Sequence, residues 1–217
     1  MYALFSKVSI GDAHKIVFAC KITLILFNDT RSPFYLGPVP IDETQLAMNM
    51  ENAWQYCKVY EEYLENPELG EGSQPSQAYY QWAKSGFENK SAVRFPMGRG
   101  ACPAYSIYGG KRMGYIEARA RIYCPLYANA VKKTNAYHRL QCLYKKAVKE
   151  GKVLAIFDFD GHNSIEYFHG DYEKILYNHK RKMGHGFVLA MLLENDLVWE
   201  QEYDEKKVHH TSVPRRK

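Results

Sequence analysis

The chain has 217 residues, 46% of them hydrophobic, and a formal net charge of +5 from 29 basic and 24 acidic side chains. That apolar fraction supports an ordinary core and excludes a disordered polyelectrolyte. The length points to a single domain over residues 1–200 with a polar tail over 201–217. The mild basic excess suits an anionic partner, a nucleotide or nucleic acid, without requiring one.

Residues 1–30 read as β-structure, with a hairpin turn at Gly11–His14. The apolar run Ile16–Phe27 carries Lys21 and is too short to cross a membrane, and it lacks the layout of a signal peptide. Its β-branched residues predict a strand, and no membrane partner is expected. Thr30–Pro40, with three prolines and a glycine, predicts an ordered loop or edge segment.

Leu46, Met50, Ala53, Cys57, Tyr60 and Leu64 recur at spacings of three and four, which predicts one helix of about five turns with Asp42 or Thr44 at its start. A second helix is expected over Pro75–Phe87, with Ser73 or Ser76 near its cap and Pro75 in its first turn. Ala92–Met113, rich in Gly, Pro and Arg, reads as a long loop with short strands. Tyr115–Thr134 reads as a helix broken or kinked near Pro125, and a further helix extends to about Lys149. Val153–Phe159 reads as a strand, and Gly161 turns the chain after it. Arg181–Asn195 is a basic turn running into an apolar helix that starts near Gly186, and the chain from Gln201 reads as frayed.

The five cysteines (Cys20, Cys57, Cys102, Cys124, Cys142) are odd in number and form no CxxC pair. A disulfide framework or zinc site is therefore not expected, and a reducing, cytoplasmic setting is the simpler reading. No metal or cofactor is called for. The 18 tyrosines fit either packing at core edges or stacking on flat ligands.

Val153–Asn163, "VLAIFDFDGHN", has the look of a haloacid-dehalogenase phosphatase strand, with Asp158 as nucleophile and Asp160 as acid/base. Chain order excludes that reading. Only 57 residues follow Asp160, they hold no paired-aspartate magnesium motif, and His162 stands where the family has threonine. What remains is geometric: Asp158 and Asp160 leave a buried strand on one face, either to build a site or to close the turn.

Three other stretches carry chemistry. In "NMENAWQYCKVY" (Asn49–Tyr60), Glu51 and Gln55 share one helix face beside Trp54, either as a pocket wall or as a solvated face. In "RFPMGRGACPAYS", Arg94 and Arg99 flank glycines that let a backbone approach phosphates. In "KRKMGHGF", Lys182, Gly184 and His185 precede a helix N-terminus that favours an anion. Glu117, Arg119, Arg121, Tyr123 and Tyr127 form a weaker set on the kinked helix.

The stretches at Asn49–Tyr60, Arg94–Ser106, Tyr115–Val131, Asp158–Asn163 and Lys180–Glu194 resemble an uncharacterised family of phages and large DNA viruses. More distantly, Glu51, Asn52, Ala53, Trp54, Gln55 and Lys58, the preceding "SPFYLGPVP" and the turn "MGHGFVLAMLLE" resemble the NADAR N-glycosidases, with Asn52 in place of that family's histidine. The resemblance implies a NADAR-like α+β fold, mainly helical around a small sheet. It also implies a hydrolase acting on an ADP-ribosyl, nucleotide or modified-base substrate. Glu51 would stabilise an oxocarbenium-like transition state or activate water, with Asp158 or Asp160 as a second carboxylate or ribose ligand. Arg94, Arg99, Lys182 and the helix near Gly186 would bind phosphates, Tyr35, Trp54 and Tyr105 would stack on the base, and Asn49, Gln55, Arg119, Gly184 and His185 would complete the ligand-binding set. The alternative is a non-catalytic viral protein that binds a nucleotide or nucleic acid, to sequester a signal or counter host defence.

Overall fold

The computed structural model describes residues 4–5, 23–25, 30–152, 154–158, 160 and 170–210. The predicted turns at Gly11–His14 and Gly161 lie outside them. In chain order the first elements are β1 (Leu4–Phe5), β2 (Thr23–Ile25), β3 (Val39–Pro40), β4 (Leu46–Ala47), α1 (Met50–Gln55), β5 (Lys58–Val59), α2 (Gln77–Glu88), β6 (Tyr105–Tyr108) and β7 (Lys111–Met113). There follow α3 (Tyr115–Ala118), a π-helical turn (Arg119–Tyr123), α4 (Cys124–Val131), α5 (Asn135–Lys149), β8 (Leu154–Phe157), α6 (Tyr172–Leu176), α7 (His185–Glu194) and α8 (Lys206–His210). The class is α+β, as expected. Instead of one small sheet there are three among the described residues. The contacts cluster in two compact units, Pro33–Ala130 and a discontinuous unit of Met1–Ser32 with Val131–Lys217.

In the Pro33–Ala130 unit, the predicted five-turn helix shrinks to the six residues of α1. Asn49 caps its start through Oδ1, which accepts the Asn52 N–H at 2.8 Å. Past Tyr56 the backbone pairs laterally: Lys58 and Val59 match Ser106 and Tyr105 in an antiparallel ladder. Upstream, Leu46 and Ala47 pair with Pro40 and Val39. Sheet pairing takes the backbone groups that a longer helix would need. Burial still follows the spacing at Met50, Ala53, Cys57, Tyr60 and Leu64, whereas Leu46 is exposed. Asp42 starts no helix; its Oδ1 accepts the N–H groups of Thr44 and Gln45 and closes the β3–β4 turn.

Ser76 is the N-cap of α2, so Pro75 stands outside the helix, in a bridge with Leu64. Strands β6 and β7 form a hairpin through Gly109 and Gly110, both at positive φ (55° and 73°). Two left-handed residues match the twist of the flanking strands, which is why two glycines stand there. The break expected near Pro125 takes the form of the π-helical turn just before it. Proline has no N–H to give the Arg121 carbonyl, and widening the turn absorbs that loss.

In the discontinuous unit, β8 lies between β1 and β2 and is parallel to both, with Ile156 opposite Leu4 and Ile25. Helix α7 is apolar from Phe187 to Leu193 and buried all round, each large side chain contributing ~1.5–3 kcal/mol on burial. The residues after Gln201 are not frayed as far as His210. Tyr203 stacks on Tyr177 at 5.5 Å, the Asp204 N–H donates to the Tyr177 hydroxyl at 3.1 Å, and Lys207 pairs with Glu173. No helix of the described residues is long and apolar enough to cross a membrane.

Candidate functional site

The Pro33–Ala130 unit buries a polar relay. Gln55 Nε2 donates to Glu51 Oε1 at 2.8 Å, and Lys58 Nζ donates to Gln55 Oε1 at 2.8 Å. The amide lies between an anion and a cation, so only one of its two orientations satisfies both. Glu51, Gln55 and Lys58 are 7%, 8% and 8% exposed. Helix α1 supplies Glu51 and Gln55 one turn apart, and β5 brings Lys58 under the helix end.

Aromatic rings line this relay. Lys58 Nζ lies 4.5 Å from the Trp54 ring centroid. Trp54 meets Tyr123 edge-on at 5.2 Å and Tyr115 at 6.2 Å. Arg119 is 2% exposed, with its guanidinium 4.9 Å from the half-exposed Tyr115 ring. It opens the π-helical turn, a widened geometry that recurs at functional sites. Cys57, behind the relay, is wholly buried, and desolvation pushes its thiol up to about 11.

The start of α1 is closed to ligands. The N–H groups of Met50 and Glu51 donate to the carbonyls of Leu36 (2.7 Å) and Pro33 (3.0 Å), and Asn49 takes that of Asn52. The proline-rich segment lies so close that a Cβ at Gly37 would come within 2.8 Å of the Asn49 Cα. Tyr35 on this segment is 68% exposed.

Asn52, where the resembled family has histidine, is a clamp. Its Nδ2 donates to the carbonyls of Asn89 (2.8 Å) and Ser91 (3.0 Å), and its Oδ1 accepts the Val93 N–H (2.8 Å). The held segment leads directly into Arg94, Phe95 and Arg99. Both guanidiniums lie over the Phe95 ring, at 5.4 and 5.7 Å, and Phe95 is 40% exposed. One turn of α1 therefore carries the buried carboxylate and, in the next residue, the anchor of the arginine loop.

Tyr105 is no stacking platform. It is buried in β6, its hydroxyl donates to the Ser73 carbonyl at 2.8 Å, and Arg112 covers its ring. Desolvation raises its pKa.

Asp158 and Asp160 belong to the other unit. Asp158 leaves the carboxyl end of the central parallel strand, the edge where parallel sheets build sites. Its Oδ2 accepts the Gly186 N–H at 2.7 Å and lies 3.2 Å from His185 Nδ1; its Oδ1 accepts the Asp160 N–H at 3.2 Å. Asp158, Gly184 and His185 thus come together. The carboxylate itself holds the Gly186 N–H that a ligand phosphate would use. Lys182 is exposed beside this turn in sequence.

Tyr115 was not singled out from sequence, and Lys58 and Asn52, named there, were given no role as the relay's cation and the loop anchor. The signal for Lys58 is its position three residues after Gln55; Asn52 holds backbone groups some 40 residues away, for which the sequence carries no local signal. Among the described residues, no group of three His, Cys, Asp or Glu is placed to hold a metal ion. Compared with protein-family models, curated proteins and solved structures, the chain matches none.

Proposed function

We propose that the protein is an N-glycosidase-like hydrolase for an ADP-ribosyl, nucleotide or modified-base substrate, with Glu51 as the key carboxylate. The observation that carries this reading is the buried relay from Glu51 through Gln55 to Lys58 beside Trp54. Burying a carboxylate and an ammonium costs free energy that packed apolar side chains would not, so stability alone gives little reason for this set of residues. A carboxylate held in low dielectric stabilises the positive charge that develops on a ribose ring as its N-glycosidic bond breaks. Gln55 orients that carboxylate, and Lys58 fixes the orientation of the amide. Trp54 offers a base-sized aromatic face, and the arginine loop anchored by Asn52 supplies phosphate contacts.

The test is turnover. Purified protein is incubated with NAD, ADP-ribosylated nucleotides and modified nucleosides, and released base is measured by chromatography. The expected result is release by the native chain, reduced by about 10²-fold or more in Glu51→Gln. Release that is undiminished in Glu51→Gln would reject the assignment of Glu51.

The exposed Arg94–Phe95–Arg99 cluster favours a second reading, non-catalytic binding of a nucleotide, because stacking and phosphate contacts need no chemistry. Binding of labelled nucleotide without base release, lost in Arg99→Ala, would select it.

A further inference from the structure

Charge is distributed unevenly along the chain. Seven of the 29 lysines and arginines, but one of the 24 acidic residues, fall between Lys132 and Lys152. This stretch carries +6, and the remainder of the chain carries −1. No Asp or Glu occurs from Lys132 to Lys149.

Helix α5 arranges these cations on one face. Ala136, Tyr137, Leu140 and Ala147 are buried. Arg139, Lys145, Lys146 and Lys149 are exposed on the opposite side, with His138 and Cys142 between them. From Arg139 to Lys149 the face runs about 15 Å along the axis. A solvated helix face ordinarily interleaves acids with its cations at i, i+4. Here the one acid, Glu150, lies beyond the helix and reaches Lys146 at 3.9 Å and Lys152. Among the described residues, Arg139, Lys145 and Lys149 have no carboxylate within ion-pair distance. The helix dipole explains Lys146 and Lys149 in the last turn, but not Arg139 or Lys145.

We infer that the exposed face of α5 is a docking surface for the phosphate backbone of a nucleic acid. A duplex presents about one negative charge per 1.7 Å of axis, so a row of cations of this length meets several phosphates at once. A membrane surface fits less well, because Ala136, Tyr137, Leu140 and Ala147 are buried within the protein and only Leu143 and Val148 of the apolar side chains on α5 are exposed enough to meet lipids. None of these residues belongs to the Glu51 relay or the Arg94–Arg99 loop, so this surface stands or falls independently of the proposed activity.

The experiment measures binding of a fluorescein-labelled 30-base-pair DNA duplex by anisotropy, from low to moderate salt. The native chain is expected to bind with a log–log salt slope of about −3 to −4, as four phosphate contacts would give. Arg139→Gln, Lys145→Gln, Lys146→Gln and Lys149→Gln together are expected to weaken binding about tenfold or more and flatten the slope. The variant with all three lysines changed to arginine keeps the charge and is expected to bind like the native chain, as is the control Lys111→Gln. Unchanged affinity in the quadruple glutamine variant would overturn the inference, as would binding that is lost in Arg94→Ala/Arg99→Ala instead. Retention on phosphatidylserine vesicles but not on the duplex would also overturn it.

Discussion

The carboxylate of Asp158 accepts the backbone N–H of Gly186 at 2.7 Å, so a residue at the end of β8 caps a helix that begins 27 residues later in the chain. The local N-cap, Gly184, has no side chain for the task, and a Cβ there would run into the Asp158 carboxylate. Strand, glycine and helix are therefore one unit of packing, with His185 on the same carboxylate oxygen at 3.2 Å.

Asp158→Ala removes this cap and leaves the Gly186 N–H buried. A loss of about 1–3 kcal/mol is expected in urea denaturation, less for Asp158→Asn. Gly184→Ala pushes on the same carboxylate, so combining it with Asp158→Ala should cost less than the sum of the two single changes. Additive losses would show that the two residues act separately.

Asn52→Ala deletes three hydrogen bonds to the 89–93 segment. The expected loss is about 1–3 kcal/mol, since three part-buried hydrogen bonds are lost and water can reach part of the segment they held. Trypsin should also cut faster at Arg94 and Arg99 in the folded protein. Unaltered cleavage at those arginines would mean that Asn52 does not hold the loop.

Gly86 lies on α2 against the ring of Tyr56, where a Cβ would overlap the ring carbons. Tyr56 is held by Trp82 at 4.6 Å and Phe87 at 6.3 Å, so it has little room to yield. Gly86→Ala should cost ~1–3 kcal/mol despite its better helix propensity. Thermal denaturation decides the sign.

Thiol reactivity should separate the described cysteines in two pairs. Cys102 and Cys142 are exposed and should react with a disulfide reagent in the native state; Cys57 and Cys124 are buried and should react only on unfolding. Burial raises the Cys57 thiol from its ordinary value to about 11 because the thiolate loses its hydration. The unfolded chain deprotonates first, so this contribution to stability is complete below about pH 9 and declines as pH rises toward 11. The slope is at most ~1.4 kcal/mol per pH unit per thiol. Denaturation midpoints at pH 8 and 10 check it: Cys57→Ser should flatten the decline.

The apolar helix α7, the helix α5 and the strand β8 were legible in the sequence, because each carries a periodic or continuous apolar pattern that decides its own burial. The stretch from Leu46 to Leu64 was not. Its spacing of three and four holds for burial at five of six positions, yet the backbone changes state three times within it. Periodicity reports which side chains face a core; it does not report that Lys58 and Val59 find partners in Tyr105 and Ser106, some 47 residues away. The double glycine at 109–110 is a hairpin signal that a loop-rich composition obscured.

Glu51, Gln55, Arg94, Arg99, Asp158, Gly184 and His185 were visible as residues able to do chemistry, since residue type and spacing are local properties. Their partners were not. That Gln55 bridges Glu51 to Lys58, that Asn52 anchors the arginine loop, that the Tyr105 hydroxyl donates to Ser73, and that Asp158 occupies the helix end where the sequence suggests an anion all depend on contacts between segments distant in sequence or in secondary structure. The charge imbalance of 132–152 is the reverse case: composition alone determined it, and tertiary structure decided only which side of α5 meets solvent, by burying Ala136, Tyr137, Leu140 and Ala147 on the other.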